Sequence, residues 1–332
     1  MYAINSNTLD FQLLRVLSDG KIHTYKTLSS KLNCTSLSVF QSIQVALNYG
    51  IEISLINGFG VFWSRPFVWI NEGAINTFLK DQKIFFNLTK FNLLDSTNSY
   101  LIRNKSVYLK HGTIPVIVSE LQTKGRGTSN RNWFSNLGGC LTFSILWQYK
   151  HKIQHLPSLG LVVGVSLIRV FRNLALTSVH LKWPNDLLYK NKKFGGILIE
   201  CNTNEQISTA VIIGIGVNFK LSSNLASLVD YAVTDLYEIT GYMLDRNQIL
   251  ALFLIELRHV LNTFENYGFH VFRNEWQSYH IYQGQNIVLR LPNRLNVEGI
   301  VDGVQDDGSL TLITSSGRKN FNVGEISLRA KS

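Results

Sequence analysis

The 332-residue sequence predicts an α+β chain in three parts, and three observations carry that reading. Residues 1–65 hold three helix-like segments and then an alternating run centred on Asn57-Gly58, the layout of a winged helix-turn-helix. Residues 66–280 alternate strand-like and helix-like segments in an α/β pattern. Residues 281–332 read as short strands separated by Asp-Gly and Asn turns, the pattern of a small antiparallel barrel of the SH3 type.

The first helix spans about 8–18, with Thr8 as N-cap and Phe11, Leu14 and Leu17 on one face, and Asp19-Gly20 breaks it. A second covers about 24–32. A third runs from Ser36, placed as N-cap, to Tyr49, with Gly50 as its stop. The run "IEISLINGFGVFW" then gives a hairpin. Arg65-Pro66 marks a boundary, and a helix over about 71–81 connects to the central part. There the strongest strands are 115–122, 140–147, 195–201 and 210–219, and the best helices are about 157–175 and 247–266.

Hydrophobic content of 45% is enough to build a core. The net charge of +10 suggests a phosphate-bearing partner. Only +2 of it lies in residues 1–65, where Arg15, Lys21, Lys26, Lys31 and Arg65 face Asp10, Asp19 and Glu52. The longest apolar run, Leu159–Ile168, stops at Arg169, well short of the roughly 20 residues of a membrane span. The N-terminus lacks a basic region followed by an apolar one. These points predict a cytoplasmic protein with no membrane partner. Cys34, Cys140 and Cys201 are odd in number and widely spaced, so they read as reduced thiols and no metal site is predicted.

Four stretches carry chemistry. "LLDSTNSYL" (93–101) gathers Asp95, Ser96, Thr97 and Asn98 before a helix, which reads equally as an N-cap cluster or a polar ligand cradle. In "QTKGRGTSNRNWF" (122–134), Gly125 and Gly127 flank Arg126, with Arg131 and Trp133 following; backbone N–H groups and arginine together suit an anion. "KWPNDLLYKNKKFGG" (182–196) predicts strand, Pro184-Asn185-Asp186 turn, strand, and a Lys190-Asn191-Lys192 turn. Lys193 then begins a strand running into Gly195-Gly196. Lys190 and Lys192 are expected as solvated tip charges, and Lys193 as the lysine held on a rigid strand where a phosphate can approach. In "GIGVNF" (214–219), Gly214 and Gly216 allow a ligand to come close or simply sit in a core strand, and Asn218 offers a donor and an acceptor to a purine edge.

Together the strings "GRG…W", "KWPND…K..GIL.E" and "GIG.N" resemble the biotin–protein ligases, and the terminal parts resemble the bifunctional ligase/biotin operon repressor branch. The arginine–triple-glycine signature of the related lipoate ligases is absent. The resemblance implies a central domain of the biotin/lipoate ligase type over 66–280, with ATP and biotin as substrates and Mg2+ accompanying ATP. It implies formation of biotinyl-5′-AMP and transfer of biotin to a lysine of the biotin carboxyl carrier protein of acetyl-CoA carboxylase. A homodimer and operator DNA are the further implied partners.

By resemblance, Lys193, Asp186 and Arg126 are catalytic. Ser96, Thr97, Asn98, Gln122, Gly125, Arg126, Lys193 and Gly196 bind biotin. Arg126, Arg131, Trp133, Lys182, Asn185 and Asn218 bind nucleotide, and Glu325 and Arg329 reach the site from the C-terminal part. Ser36, Ser38, Gln41 and Ser42 are the implied DNA contacts, and the alternative reading is a biotin-sensing regulator that transfers nothing.

Two departures stand out. Thr128, Ser129 and Asn130 follow the glycine-arginine-glycine run where the family carries two basic residues and a glycine, which implies faster loss of the adenylate. No Lys or Arg occurs from Leu32 to Ser64, the interval of the expected recognition helix and wing. DNA affinity rests largely on phosphate neutralisation, so binding through this interval is expected to be poor, with Arg15, Lys21, Lys26 and Lys31 left to compensate.

Overall fold

The computed structural model describes residues 8–57, 59–63, 67–79, 86–109, 113–150, 153–202, 209–222, 225, 228–229, 231–291, 295–322 and 327–330. Helices α1 (Leu9–Leu17), α2 (Tyr25–Leu32) and α3 (Ser36–Asn48) precede a hairpin of β1 (Ile53–Ile56) and β2 (Gly60–Trp63), as the sequence leads one to expect. Gly58 and the boundary at 64–66 lie outside the described residues. The N-cap of α3 is Thr35, whose hydroxyl accepts from the Ser38 N–H at 3.1 Å; Ser36 is the first helical residue.

One expectation about DNA contacts is corrected. Ser42 is buried on the inner face of α3, three residues after Val39 and beside Ile43, so it faces core. Ser38 is half-buried, its hydroxyl 2.9 Å from that of Thr35, whereas Ser36 and Gln41 are exposed. Leu37 and Phe40 are exposed as well, at 65% and 45%. Arg15 does not stand ready for phosphate either. Its guanidinium donates to Asn92 Oδ1 at 2.8 Å and stacks 4.2 Å over Trp69, at the seam with the central part.

The core of these helices includes Leu93, Leu121 and Leu137, which belong to the central part of the chain. The connection runs through Phe67–Ile70 into α4 (Glu72–Leu79). It is held by a buried ion pair between Arg246 and Glu120 at 2.8 Å. Glu120 also accepts from the Ile70 N–H (2.7 Å), and Arg246 donates to the carbonyls of Val68 (2.8 Å) and Cys140 (3.0 Å).

The central part contains β3 (Phe86–Leu94), α5 (Thr97–Tyr108), β4 (Ile114–Gln122), the short strands β5 (Gly125–Arg126) and β6 (Asn132–Trp133), and β7 (Cys140–Tyr149). Then follow α6 (Leu159–Asn173), β8 (Val179–Lys182), β9 (Asp186–Tyr189), β10 (Lys192–Asn202), β11 (Thr209–Asn218), α7 (Leu236–Thr240), α8 (Arg246–Tyr267) and α9 (Arg273–Tyr279). Seven strands form one sheet in the order β3-β4-β7-β11-β10-β9-β8. Only β3 and β4, joined through α5, are parallel; the α/β alternation read from the sequence folds mainly as antiparallel pairs. Alternate residues serve two cores, as the period of a strand requires: Val116 and Val118 face the cluster of α6 and α8, and Ile117 faces that of α5. The segment Leu156–Asn173 is apolar enough by length and composition to cross a membrane, but 78% of it is buried in this core.

The C-terminal strands β12 (Asn286–Arg290), β13 (Asn296–Val304), β14 (Leu310–Thr314), β15 (Gly317–Phe321) and β16 (Ser327–Ala330) form one antiparallel sheet in the order β15-β14-β13-β12-β16. Its inner side chains, among them Ile287, Leu289 and Leu312, join the same core as the central sheet.

Candidate active site

A cleft with polar and aromatic walls opens over β10 and β11. Of the sequence-predicted residues, Ser96, Thr97, Asn98, Gln122, Arg126, Arg131, Trp133, Asn185, Lys193 and Gly196 line it. Asp186 joins them through Lys193.

One end is a polar cradle. Ser96 caps α5, its hydroxyl accepting from the Ser99 N–H at 3.4 Å. Asp95 anchors the turn below: it accepts from the Ser96 N–H (2.8 Å) and takes Arg103 bidentately (2.7 and 2.8 Å). The Arg103 bonds hold the Asp95 carboxyl below its ordinary range. Gln122 Oε1 accepts from the Thr97 N–H at 2.7 Å and from its hydroxyl at 3.1 Å. The buried Ser144 hydroxyl lies 2.6 Å from Thr97 Oγ1 and 2.5 Å from Asn98 Oδ1. Asn98 Nδ2 donates at 2.8 Å to Glu200, and the same Glu200 oxygen takes Arg126 at 2.6 Å. A continuous polar chain thus runs from Gln122 to Arg126.

At the other end stands Lys193. It lies where the pairing of β10 with β9 shifts register, between Lys193 and Gly195. The segment 232–234 fills the gap: the Lys193 N–H donates to the Ala232 carbonyl and the Lys193 carbonyl accepts from the Thr234 N–H, both at 2.9 Å. With its backbone fixed on both sides, Lys193 directs its ammonium into the cleft while Phe194 points into the core. Nζ is 2.6 Å from Asp186 Oδ1 and lies between the rings of Trp133 (5.9 Å) and Tyr231 (5.5 Å). Lys182 Nζ stands 4.0 Å from the other Asp186 oxygen.

The two glycines of "GIGVNF" line the cleft from the buried strand β11 and also admit two side chains of the protein itself. A side-chain carbon at 214 would collide with the Asn98 amide, and one at 216 with the Trp133 indole. The backbone of β11 is kept bare so that these two side chains can lie across it. Gly125 is likewise spent on pairing, opposite Trp133 in the β5–β6 ladder.

Asn218 lies outside this cleft, in a smaller cavity shared with Trp133, Lys193, Leu221 and Tyr231. Its amide donates to the Thr234 carbonyl (3.1 Å), and its oxygen lies 3.8 Å from Cys140 Sγ. Burial pushes the Cys140 thiol up to about 12, so it stays protonated. Asn185 is also structurally engaged, donating to the Ile197 carbonyl at 2.7 Å. Arg131 is exposed at the rim. Lys192 opens β10 directly after the turn and pairs with Glu238 at 2.8 Å, both side chains staying largely exposed to solvent. Arg329 sits in β16 opposite Val288, and Glu325 lies outside the described residues.

Sequence reading missed Ser144, Glu200 and Tyr231. A serine inside the apolar run "CLTFSILW" was a usable signal for the first, and the acid closing "GIL.E" for the second. Nothing local marks Tyr231.

Comparison with known proteins shows the family. The model of the biotin/lipoate A/B protein ligase family matches residues 91–218, and that of the biotin protein ligase C-terminal domain matches 282–329. The biotin protein ligase from Aquifex aeolicus, solved in complex with biotin and ATP, is 30% identical; the match covers 74% of this chain and 99% of that one, with a TM-score of 0.63. The chain belongs to the biotin protein ligase family. Among biotin protein ligases, the bifunctional ligase/repressor BirA of Escherichia coli K12 is 29% identical over 327 residues, 98% of this chain and 99% of the relative. The biotin–[acetyl-CoA-carboxylase] ligase of Paracoccus denitrificans is 26% identical over 63% of this chain and 88% of its own length. The chain is therefore an enzyme of the ligase class, and the residues lining the cleft over β10 and β11, apart from Tyr231, fall within the segment matched by the ligase family.

Proposed function

We propose that this ligase joins biotin to AMP and then to a lysine of the biotin carboxyl carrier protein of acetyl-CoA carboxylase. The observation that carries the reading is a lysine fixed on a bulged strand, beside a carboxylate, in a cleft whose other end is a polar cradle. The cradle of Ser96, Thr97 and Gln122 suits the ureido ring of biotin, with Asn98 behind it. The cavity bounded by Trp133 and Asn218 suits the adenine, and the exposed Arg131 the phosphates. Gly196 leaves the strand open between the two. Mg2+ enters with ATP; among the described residues no group of three His, Cys, Asp or Glu is placed to hold a metal, and such ions take most ligands from phosphate and water.

In the first step a biotin carboxylate oxygen attacks the α-phosphorus, the bond to the β-phosphate oxygen breaks, and pyrophosphate leaves. Lys193 and Arg126 neutralise the two anions that must meet. Each is paired with a carboxylate in this structure, Asp186 and Glu200 respectively, so each can exchange an internal anion for the ligand's. In the second step the acceptor amine attacks the carbonyl carbon and AMP leaves. Asp186, released from Lys193 by the ligand, takes the amine's proton. Lys182 and the C-terminal residues Glu325 and Arg329 are assigned supporting roles. Thr128 in place of a basic residue should let the adenylate escape faster; a slower release from Thr128→Arg, read in a chase with unlabelled ligand, is expected.

The domain limits in this reading are 1–65, 66–280 and 281–332: a winged helix-turn-helix, the ligase domain and an SH3-like barrel, in a cytoplasmic homodimer. Purified protein with biotin and ATP should add one biotinyl group to a carrier domain, seen by mass spectrometry. Preferential turnover of lipoate, or no transfer at all, would sink the reading. Operator recognition is expected to be weak, because α3 presents Ser36, Leu37, Phe40 and Gln41 and no cation. Titration against DNA upstream of the organism's own biotin synthesis genes should give binding that salt erases and unrelated DNA matches. Specific, adenylate-dependent binding would show a working repressor instead.

A further inference from the structure

The catalytic turn 183–185 sits at the end of β8, the edge strand of the seven-stranded sheet. Within the sheet the turn is tied to β10 at one end, where the Asn185 carbonyl accepts from the Ile197 N–H at 3.0 Å and the Asn185 amide donates to the Ile197 carbonyl at 2.7 Å. At its Trp183 end two contacts come from outside the sheet. The Ile281 N–H donates to the Leu181 carbonyl at 2.9 Å. Further along, the Trp183 indole N–H donates at 2.9 Å to the carbonyl of Gly308, in the turn between β13 and β14 of the C-terminal sheet. Trp183 is 1% exposed.

Gly308 is itself immobilised. It has φ +84°, and a side-chain carbon there would lie 2.9 Å from Ser158 Cα at the start of α6. The turn closes through the Gly308 N–H to the Gln305 carbonyl, and Asp307 Oδ1 accepts from both the N–H and the hydroxyl of Ser309. The C-terminal turn is therefore wedged between a core helix and the catalytic turn. The residue pinned there lies three positions before Asp186, which contacts Lys193.

We propose that Trp183 is a positioning residue through which the C-terminal sheet sets the angle of the catalytic turn, and hence the Asp186–Lys193 geometry. The proposal rests on the assignment of Lys193 and Asp186 as reacting-site groups. A tryptophan that only filled space would be replaceable by phenylalanine. A tryptophan that holds the turn would not, because the missing N–H leaves the Gly308 carbonyl unpaired and the turn free to shift.

The test measures ATP- and biotin-dependent pyrophosphate release by the full chain for Trp183→Phe, Asp307→Ala and the double variant, with Lys193→Ala in the same assay. Asp307 is exposed, so its loss alters the turn without opening the core. Each single variant is expected to lower kcat by between about tenfold and a hundredfold, the cost of a misplaced reacting group, with the biotin KM within about twofold of the parent. The double variant should lose no more than the larger single loss, since both break one contact. Unchanged kcat, or losses that multiply, would overturn the positioning role. Full activity in Lys193→Ala would instead overturn the assignment of the site beneath it.

Discussion

Replacing Lys193 with alanine is expected to slow adenylate formation by about two to three orders of magnitude, the usual cost of losing one preorganised charge at a reacting centre. Two features make the loss large. The ammonium is positioned by the backbone: the bulge at Lys193–Gly195 is sealed by hydrogen bonds to residues 232 and 234, so a neighbouring side chain cannot swing into its place. Its surroundings offer little substitute charge at this end of the cleft, because Arg126 stands at the other end beside Glu200 and Asn98, and Lys182 is 4.0 Å from the second oxygen of Asp186. Alanine would also leave Asp186 facing the incoming carboxylate without its 2.6 Å partner, adding repulsion to the lost attraction. The biotin KM should change little, since the seat proposed for the ring is the Ser96–Gln122 end. A pyrophosphate release rate within about tenfold of the parent would remove Lys193 from the chemistry.

The largest stability effect is expected at Arg246. Arg246→Met should cost about 3–5 kcal/mol, because it leaves the Glu120 carboxylate buried without its counter-charge. Arg246 is 2% exposed overall, and its guanidinium serves three acceptors at once: Glu120 and the carbonyls of Val68 and Cys140. Only the planar fork of arginine reaches all three, so Arg246→Lys is expected to recover only part of the loss. Denaturant midpoints read the effect. A double replacement of Glu120 and Arg246 by apolar residues should destabilise less than either single change, because no charge is then stranded. A single-variant loss below about 1 kcal/mol would mean that water reaches the pair, as at surface bridges.

The sequence made Lys193 legible because a lysine between a turn and two glycines is unusual on a strand, and it made the helices legible through their periodicity. It was less informative where the deciding contact joins distant segments. Arg126 could be read as an anion ligand, but its partner Glu200 lies 74 residues away. Arg15 had the composition of a phosphate contact; only the fold brings Asn92 and Trp69 to it. Gly214 and Gly216 signalled a close approach correctly, and the approaching groups are Asn98 and Trp133. β3 escaped notice because its first residues are only half-buried at the sheet edge, which blurs the alternation that marks a strand. Ser42 was misassigned by polarity alone, since a small hydroxyl fits an inner helix face as readily as an outer one.

The apolar interior of the first sixty residues does not close on itself; Leu93, Leu121 and Leu137 complete it from the central part. A shortened chain starting after the hairpin would therefore present three leucines and the ring of Trp69 to water, a surface that invites clumping. The amino-terminal helices thus have work to do whether or not they ever meet an operator. A lineage that gave up transcriptional control could lose every basic residue from α3 and still be unable to discard the module, because the ligase would first have to evolve a wettable flank.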